Sequence, residues 1–150
     1  MSIIRFYHME QTSLDHNLPN LIIKALENNY RILVRAKDEK TAEHINDHLW
    51  TYDPNSFLPH GSENDPDSAG QPIFITTKDE NPNNANLLIL TQGTESKNIE
   101  KFDMVCDMID GRNKEAIEQA RNRWKTYKDD GHEVTYWQQS SQGRWEEKTA

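Results

Sequence analysis

The chain has 150 residues, 34% of them hydrophobic and 28% charged, with a formal net charge of −8. That length supports one core-forming domain. The negative balance excludes a surface that coats nucleic acid broadly, and there is no run of 18 apolar residues to span a membrane.

Four Trp, five Tyr and four Phe argue against disorder. Cys106, the single cysteine, cannot close an internal disulfide. The first residues are too polar for a signal peptide, so a soluble, cytoplasmic protein is expected.

Residues 3–7 read as a first strand. Leu18, Leu21, Ile22, Ala25 and Leu26 then recur at helical spacing behind Asn17, with Pro19 expected in the first turn. A second strand covers residues 31–35, and its continuous apolar centre implies burial on both faces. Asp38 is placed to cap a second helix through Trp50, with Ala42, Ile45 and Leu49 as the inward stripe. This βαβα opening favours a mostly parallel sheet flanked by helices, an α/β fold of Rossmann-like, three-layer type.

Residues 61–72 carry only loop signals, and residues 78–85 form a second polar loop. Strands are predicted at 73–75, 87–90 and 104–109. Gly111 breaks the last of these ahead of a basic helix, and residues 134–138 read as an edge strand. A single domain is expected over 1–138, followed by a polar, frayed tail at 139–150 in which Trp145 packs.

Enzymatic signatures are nearly absent. The six glycines lie too far apart for a G-x-G-x-x-G or P-loop cradle, so the fold is expected without a nucleotide-binding loop or cofactor. Cys106 reads as an inert core thiol. His44 and His48 share a helix face with Asp47 nearby, but the pattern lacks the glutamate and third ligand of a metal site. Two helix histidines beside an apolar stripe are the plainer reading, and no metal is expected. His60 is read as a turn or interface contact rather than as an acid–base group.

Recognition surface remains. Arg121, Trp124, Lys125 and Lys128 fall at i, i+3, i+4 and i+7, which puts three cations and an indole on one helix face. From 111 to 128, six bases against two acids give the segment a charge of +4 and leave −12 on the rest. A local basic patch on an acidic body suits a short acidic partner. Trp50 and Phe57, near Pro54 and Pro59, form a second aromatic segment. Trp50 is read as a core plug, whereas Phe57 serves equally as a plug or as an interface anchor.

These segments together resemble the chi subunit of bacterial DNA polymerase III. The resemblance is carried by Phe6-Tyr7, by Leu49-Trp50 followed by Pro54 and Ser56-Phe57-Leu58-Pro59-His60, by Val105-Cys106-Asp107, and by Ala120-Arg121-x-Arg123-Trp124-Lys125-x-Tyr127-Lys128-x-x-Gly131 with Trp137 after it. It covers residues 3–137.

The resemblance implies a non-catalytic accessory subunit that binds no nucleotide. Such a subunit pairs with the small psi subunit in the clamp-loader assembly. It also grips the acidic C-terminal tail of single-stranded DNA-binding protein, which ends in Pro-Phe and a free carboxylate. Arg121, Trp124, Lys125 and Lys128 are assigned to the tail site, with Ile109 as a pocket floor. Phe57 and Pro59 are assigned to the psi-facing surface. DNA is then contacted only indirectly; the competing reading is direct single-strand binding by the basic helix, with Trp124 stacking on bases. Many relatives have Tyr where this chain has Trp124. The chain also departs from the pattern in its Pro19-containing first helix, its acidic and Asn-rich loops, and Asp129-Asp130 just past the basic stripe.

Overall fold

The computed structural model describes residues 2–10, 12–51, 60–62, 71–142 and 144–148. Its eight strands are β1 (Ile3–Met9), β2 (Ile32–Arg35), β3 (His60–Ser62), β4 (Ile73–Thr76), β5 (Leu87–Leu90), β6 (Met104–Asp110), β7 (Glu133–Gln139) and β8 (Trp145–Lys148). The helices are α1 (Leu14–Glu27), α2 (Glu39–Thr51) and α3 (Lys114–Asp129), with a 3-10 turn at Ile99–Lys101. The strands form one sheet in the order β3-β4-β2-β5-β6-β1-β7-β8. Every pairing is parallel except β7 with β8.

Alternation along the central strands splits the core into two layers. Ile32, Val34, Ile73, Ile75 and Ile89 pack beneath Leu18, Ile22, Ile45 and Leu49 of α1 and α2. Leu33, Phe74, Leu88, Val105 and Phe6 face the other way, toward Ala120 and Tyr127 of α3. Both sides of the short Ile/Leu/Val strands are thus dry, as parallel strands between helix layers require. The chain from β1 crosses through α1 to β2 on one face, while the chain from β6 crosses through α3 to β7 on the other. The direction of winding therefore reverses between β1 and β6, the position where doubly wound sheets open a crevice.

Four expectations are corrected. First, α1 starts at Leu14 with Ser13 at its N-cap, so Asn17 lies inside the helix and Pro19 sits beyond the first turn. The Asn17 amide instead holds the entry, donating to the Thr12 hydroxyl at 2.7 Å and to the Ser13 carbonyl at 2.9 Å. Second, the span 61–72 is not all loop, because His60–Ser62 pairs with β4 as a parallel edge strand. Third, β7 is no edge strand: it lies between β1 and β8. Fourth, part of the supposedly frayed tail is ordered as β8, with Trp145 edge-on to Tyr7 at 5.1 Å.

Polar side chains latch the loop at 78–85. Asn81 donates to the Ala85 carbonyl and accepts the Ala85 N–H, at 3.0 and 2.7 Å. Asp79 accepts from Ser96 and from the Lys97 N–H at 2.6 and 2.9 Å. These bonds hold its carboxyl below the usual range, although burial opposes them.

Candidate protein-binding site

The structure sorts the cations of α3 onto two faces. The helix is capped by Asn113, whose side-chain oxygen accepts from the N–H groups of Glu115 and Ala116 at 3.0 and 3.3 Å. Gly111 brings the chain against β1 so closely that a Cβ there would strike the His8 ring and the Met9 carbonyl. Gly131, at φ +87°, ends the helix; the N–H groups of Gly131 and His132 return to the Lys128 and Tyr127 carbonyls.

The inward face carries Ala120, Arg123 and Tyr127, all buried. Arg123 makes a two-pronged ion pair with Asp107 of β6: Nε to Oδ2 at 2.7 Å and Nη2 to Oδ1 at 3.0 Å. Asp107 is fully buried. Burial pushes its carboxyl up to about 6 against the pull of Arg123, whose two prongs on the carboxylate are the geometry of an ion pair. Sequence reasoning counted Arg123 with the basic patch. The missed signal was spacing, since Arg123 is in phase with Ala116, Ala120 and Tyr127, and an acid inside an apolar strand requires a partner.

The outward face is the stripe. Arg121, Lys125 and Lys128 are exposed, and Trp124 is half-buried between them and the sheet. The Trp124 ring packs on Phe6 at 5.6 Å and on Tyr136 at 5.9 Å, and the Lys128 ammonium lies 5.0 Å from its centre. This packing fixes the indole as a wall beside the cations. Among the described residues, no carboxylate forms an ion pair with any of the three cations, Asp129 and Asp130 included.

Ile109 lies apart from the exposed stripe. It is buried at the end of β6, within the apolar bed of α3, and lines a crevice of about 460 Å³ at the β1–β6 switch point with Arg112 and Asn113. Phe57 and Pro59 fall outside the described residues, as does the side chain of Trp50. His60 contributes backbone to β3.

His44 and His48 act as a fastener between helices. Pro19 has no N–H to give the Asp15 carbonyl, and His48 Nε2 bonds that carbonyl at 2.7 Å. His44 Nε2 meets the Asp15 carboxylate at 2.9 Å. Among the described residues, no group of three or more His, Cys, Asp or Glu side chains is arranged to hold a metal. Burial pushes the Cys106 thiol up to about 12, which makes it unreactive at neutral pH. No helix among the described residues is long and apolar enough to cross a membrane.

Fold and surface together define a class: a doubly wound α/β protein with no Gly-rich phosphate loop at its switch point, carrying an exposed cation–aromatic stripe on an acidic body. Residues 1–135 match the family model described as "DNA polymerase III chi subunit, HolC", and the chain belongs to that family. A curated relative, the "Probable DNA polymerase III subunit chi" of Rickettsia prowazekii (strain Madrid E), is 37% identical over 95 residues, covering 58% of this chain and 58% of the relative. The crystal structure of T4 UvsW superposes with a TM-score of 0.65 over 91% of this chain and 41% of that one, at 13% identity, a likeness of fold alone.

Proposed function

We propose that this chain is a non-catalytic accessory subunit of the DNA polymerase III holoenzyme that captures the acidic C-terminal tail of single-stranded DNA-binding protein on α3. The observation that carries the reading is the exposed stripe itself: three cations with no ion-pair partner among the described residues, around a fixed indole, on a chain of net charge −8. A short peptide with several carboxylates needs a few cations and one apolar contact, not a broad positive field. Arg121 offers two-pronged recognition of a carboxylate, Lys125 and Lys128 add point charges, and Trp124 is the wall for a terminal Phe. Ile109 supports the helix from below as part of its apolar bed.

The same reading places a psi partner at the segment with Phe57 and Pro59, and on this the sequence resemblance alone speaks. Psi would connect the subunit to the clamp loader, and DNA would be reached only through its binding protein. The test is titration of a labelled peptide ending in Asp-Ile-Pro-Phe, with a C-terminally amidated peptide as control. Saturable, salt-sensitive binding that requires the free carboxylate and weakens in Arg121→Ala is expected. Equal binding of the amidated peptide, or unchanged affinity in Arg121→Ala, would overturn the site.

A further inference from the structure

On the α1 side of the sheet, α1 and α2 pack on β2, β3 and β4, and no described helix lies centrally over β1, β7 and β8. Between α1 and this uncovered half is a cleft of about 900 Å³, at the upper end of the roughly 300–1,000 Å³ usual for small-ligand pockets. Aromatic side chains stand where a helix would. Trp137 stacks on Tyr7 at 6.5 Å, and Trp145 meets the same ring edge-on.

Arg5 rises into this cleft from the middle of β1. Its guanidinium lies 5.6 Å over the Trp137 ring, and its hydrogen bond, to the Tyr7 hydroxyl, is at the outer limit of 3.5 Å. The other half-buried or buried arginines each face an anion or carbonyl oxygens: Arg123 is hydrogen-bonded to Asp107, Arg35 lies 3.5 Å from the Asp79 carboxylate, and Arg31 donates to the carbonyls of Asn83 and Gln71. Among the described residues, no carboxylate pairs with Arg5. A half-buried guanidinium against an indole, left without an anion, is a preformed half of a charged contact.

The surrounding charges narrow the class of ligand. Lys24 at the rim is offset by Glu27 on the same helix, and Glu147 stands across from Trp137 in the β7–β8 register. A phosphodiester strand needs a cation for each phosphate. A guanidinium that no described carboxylate pairs with, set between aromatic walls, suits a single carboxylate on a flat apolar body. We propose that the cleft binds an aromatic carboxylate, with its acid group on Arg5 and its ring against Trp137 and Trp145. This stands independently of the tail reading, because no stripe residue lines the cleft.

The test follows the indole N–H signals of Trp137 and Trp145 by NMR in the full chain. One arm titrates 2-naphthoate, with 2-naphthamide as neutral control. A second uses an N-acetylated ten-residue peptide with no charged side chain, ending in Phe with a free carboxylate, so that a free molecule and a chain end are told apart. Saturation by either acid is expected, with the neutral control and Arg5→Gln each weaker by about tenfold or more. In Arg121→Ala, 2-naphthoate should shift the Trp137 and Trp145 signals as in the wild type, because Arg121 does not line the cleft. Trp145→Leu, at the sheet edge, should weaken binding with Arg5 intact and gives a second reading if Arg5→Gln fails to fold. The proposal is overturned if neither acid shifts these signals, if the amide binds equally, or if the 2-naphthoate shifts of Trp137 and Trp145 are lost in Arg121→Ala. Arg5-dependent binding of decathymidylate in place of the acids would also overturn it, in favour of nucleic acid.

Discussion

Arg121 and Arg123 are two residues apart on one helix, and the fold treats them in opposite ways. Arg121 is exposed and forms no ion pair among the described residues; Arg123 is buried with both prongs on Asp107. A two-residue step turns a helix by about 200°, enough to carry a side chain from one face to the other. Net charge on a segment therefore overstates its surface field. Once Asp107 neutralises Arg123, the stripe is left with the charges that have no internal partner.

The sharpest way to break this comparison is to remove the buried cation. Arg123→Ala should destabilise the fold by about 3–5 kcal/mol, because it strands a buried carboxylate. Its pH dependence follows from Asp107. A folded carboxyl at about 6 lies above its ordinary 3.8, so its stabilising contribution is present at low pH and is lost as pH rises through about 6. Without Arg123 to pull it down, Asp107 should sit higher still. The urea midpoint of Arg123→Ala should therefore approach that of the wild type at pH 4.5 and fall away at pH 7.5. A constant deficit at both pH values would mean that the variant suffers from lost packing and not from a stranded charge.

Trp124 lies on the boundary between the two faces and should show both behaviours. Its ring packs on Phe6 and Tyr136, so Trp124→Ala should cost about 2–3 kcal/mol of stability, less than the value for a fully buried ring. The proposed tail affinity should fall as well. Trp124→Tyr keeps a ring at the wall and should recover most of both. Denaturation and peptide titration on the same samples would separate the two losses.

What the sequence disclosed follows this same division between local and distant causes. The apolar triplet of β2, the apolar quartet of β5, the Asp38 cap and the break at Gly111 are decided by neighbours in the chain, and they were legible. So was the phase of Arg121, Trp124, Lys125 and Lys128, since helical spacing alone sets a shared face. By contrast, β3 and β8 are short, polar strands with no apolar run to announce them, and pairing with β4 and β7 orders them. The fate of Arg123 depends on Asp107, 16 positions earlier on another element. His48 bonds a carbonyl left free by Pro19, a consequence of where the proline falls within a helix that began earlier than its sequence signals implied. Arg5 looked like an ordinary strand residue until the parallel register put Trp137 beside Tyr7 on the same face.

The smallest expected effects belong to the outer face, and they sharpen the comparison best because they separate stability from binding. Arg121→Ala should leave the denaturation midpoint within about 0.5 kcal/mol of wild type, while weakening the acidic tail by about 1–3 kcal/mol through loss of a charged hydrogen bond. Lys128→Met is the finer case. The ammonium lies 5.0 Å from the Trp124 ring centre, a contact worth about 0.5–1 kcal/mol at an exposed site. Methionine keeps much of the apolar stem, so almost all of that loss is electrostatic. The tail should bind more weakly to this variant at low salt, and the difference should shrink as salt screens the missing charge. A deficit that persisted at high salt would assign Lys128 to the packing of the indole, and the line between the two faces of α3 would have to be drawn one residue further out.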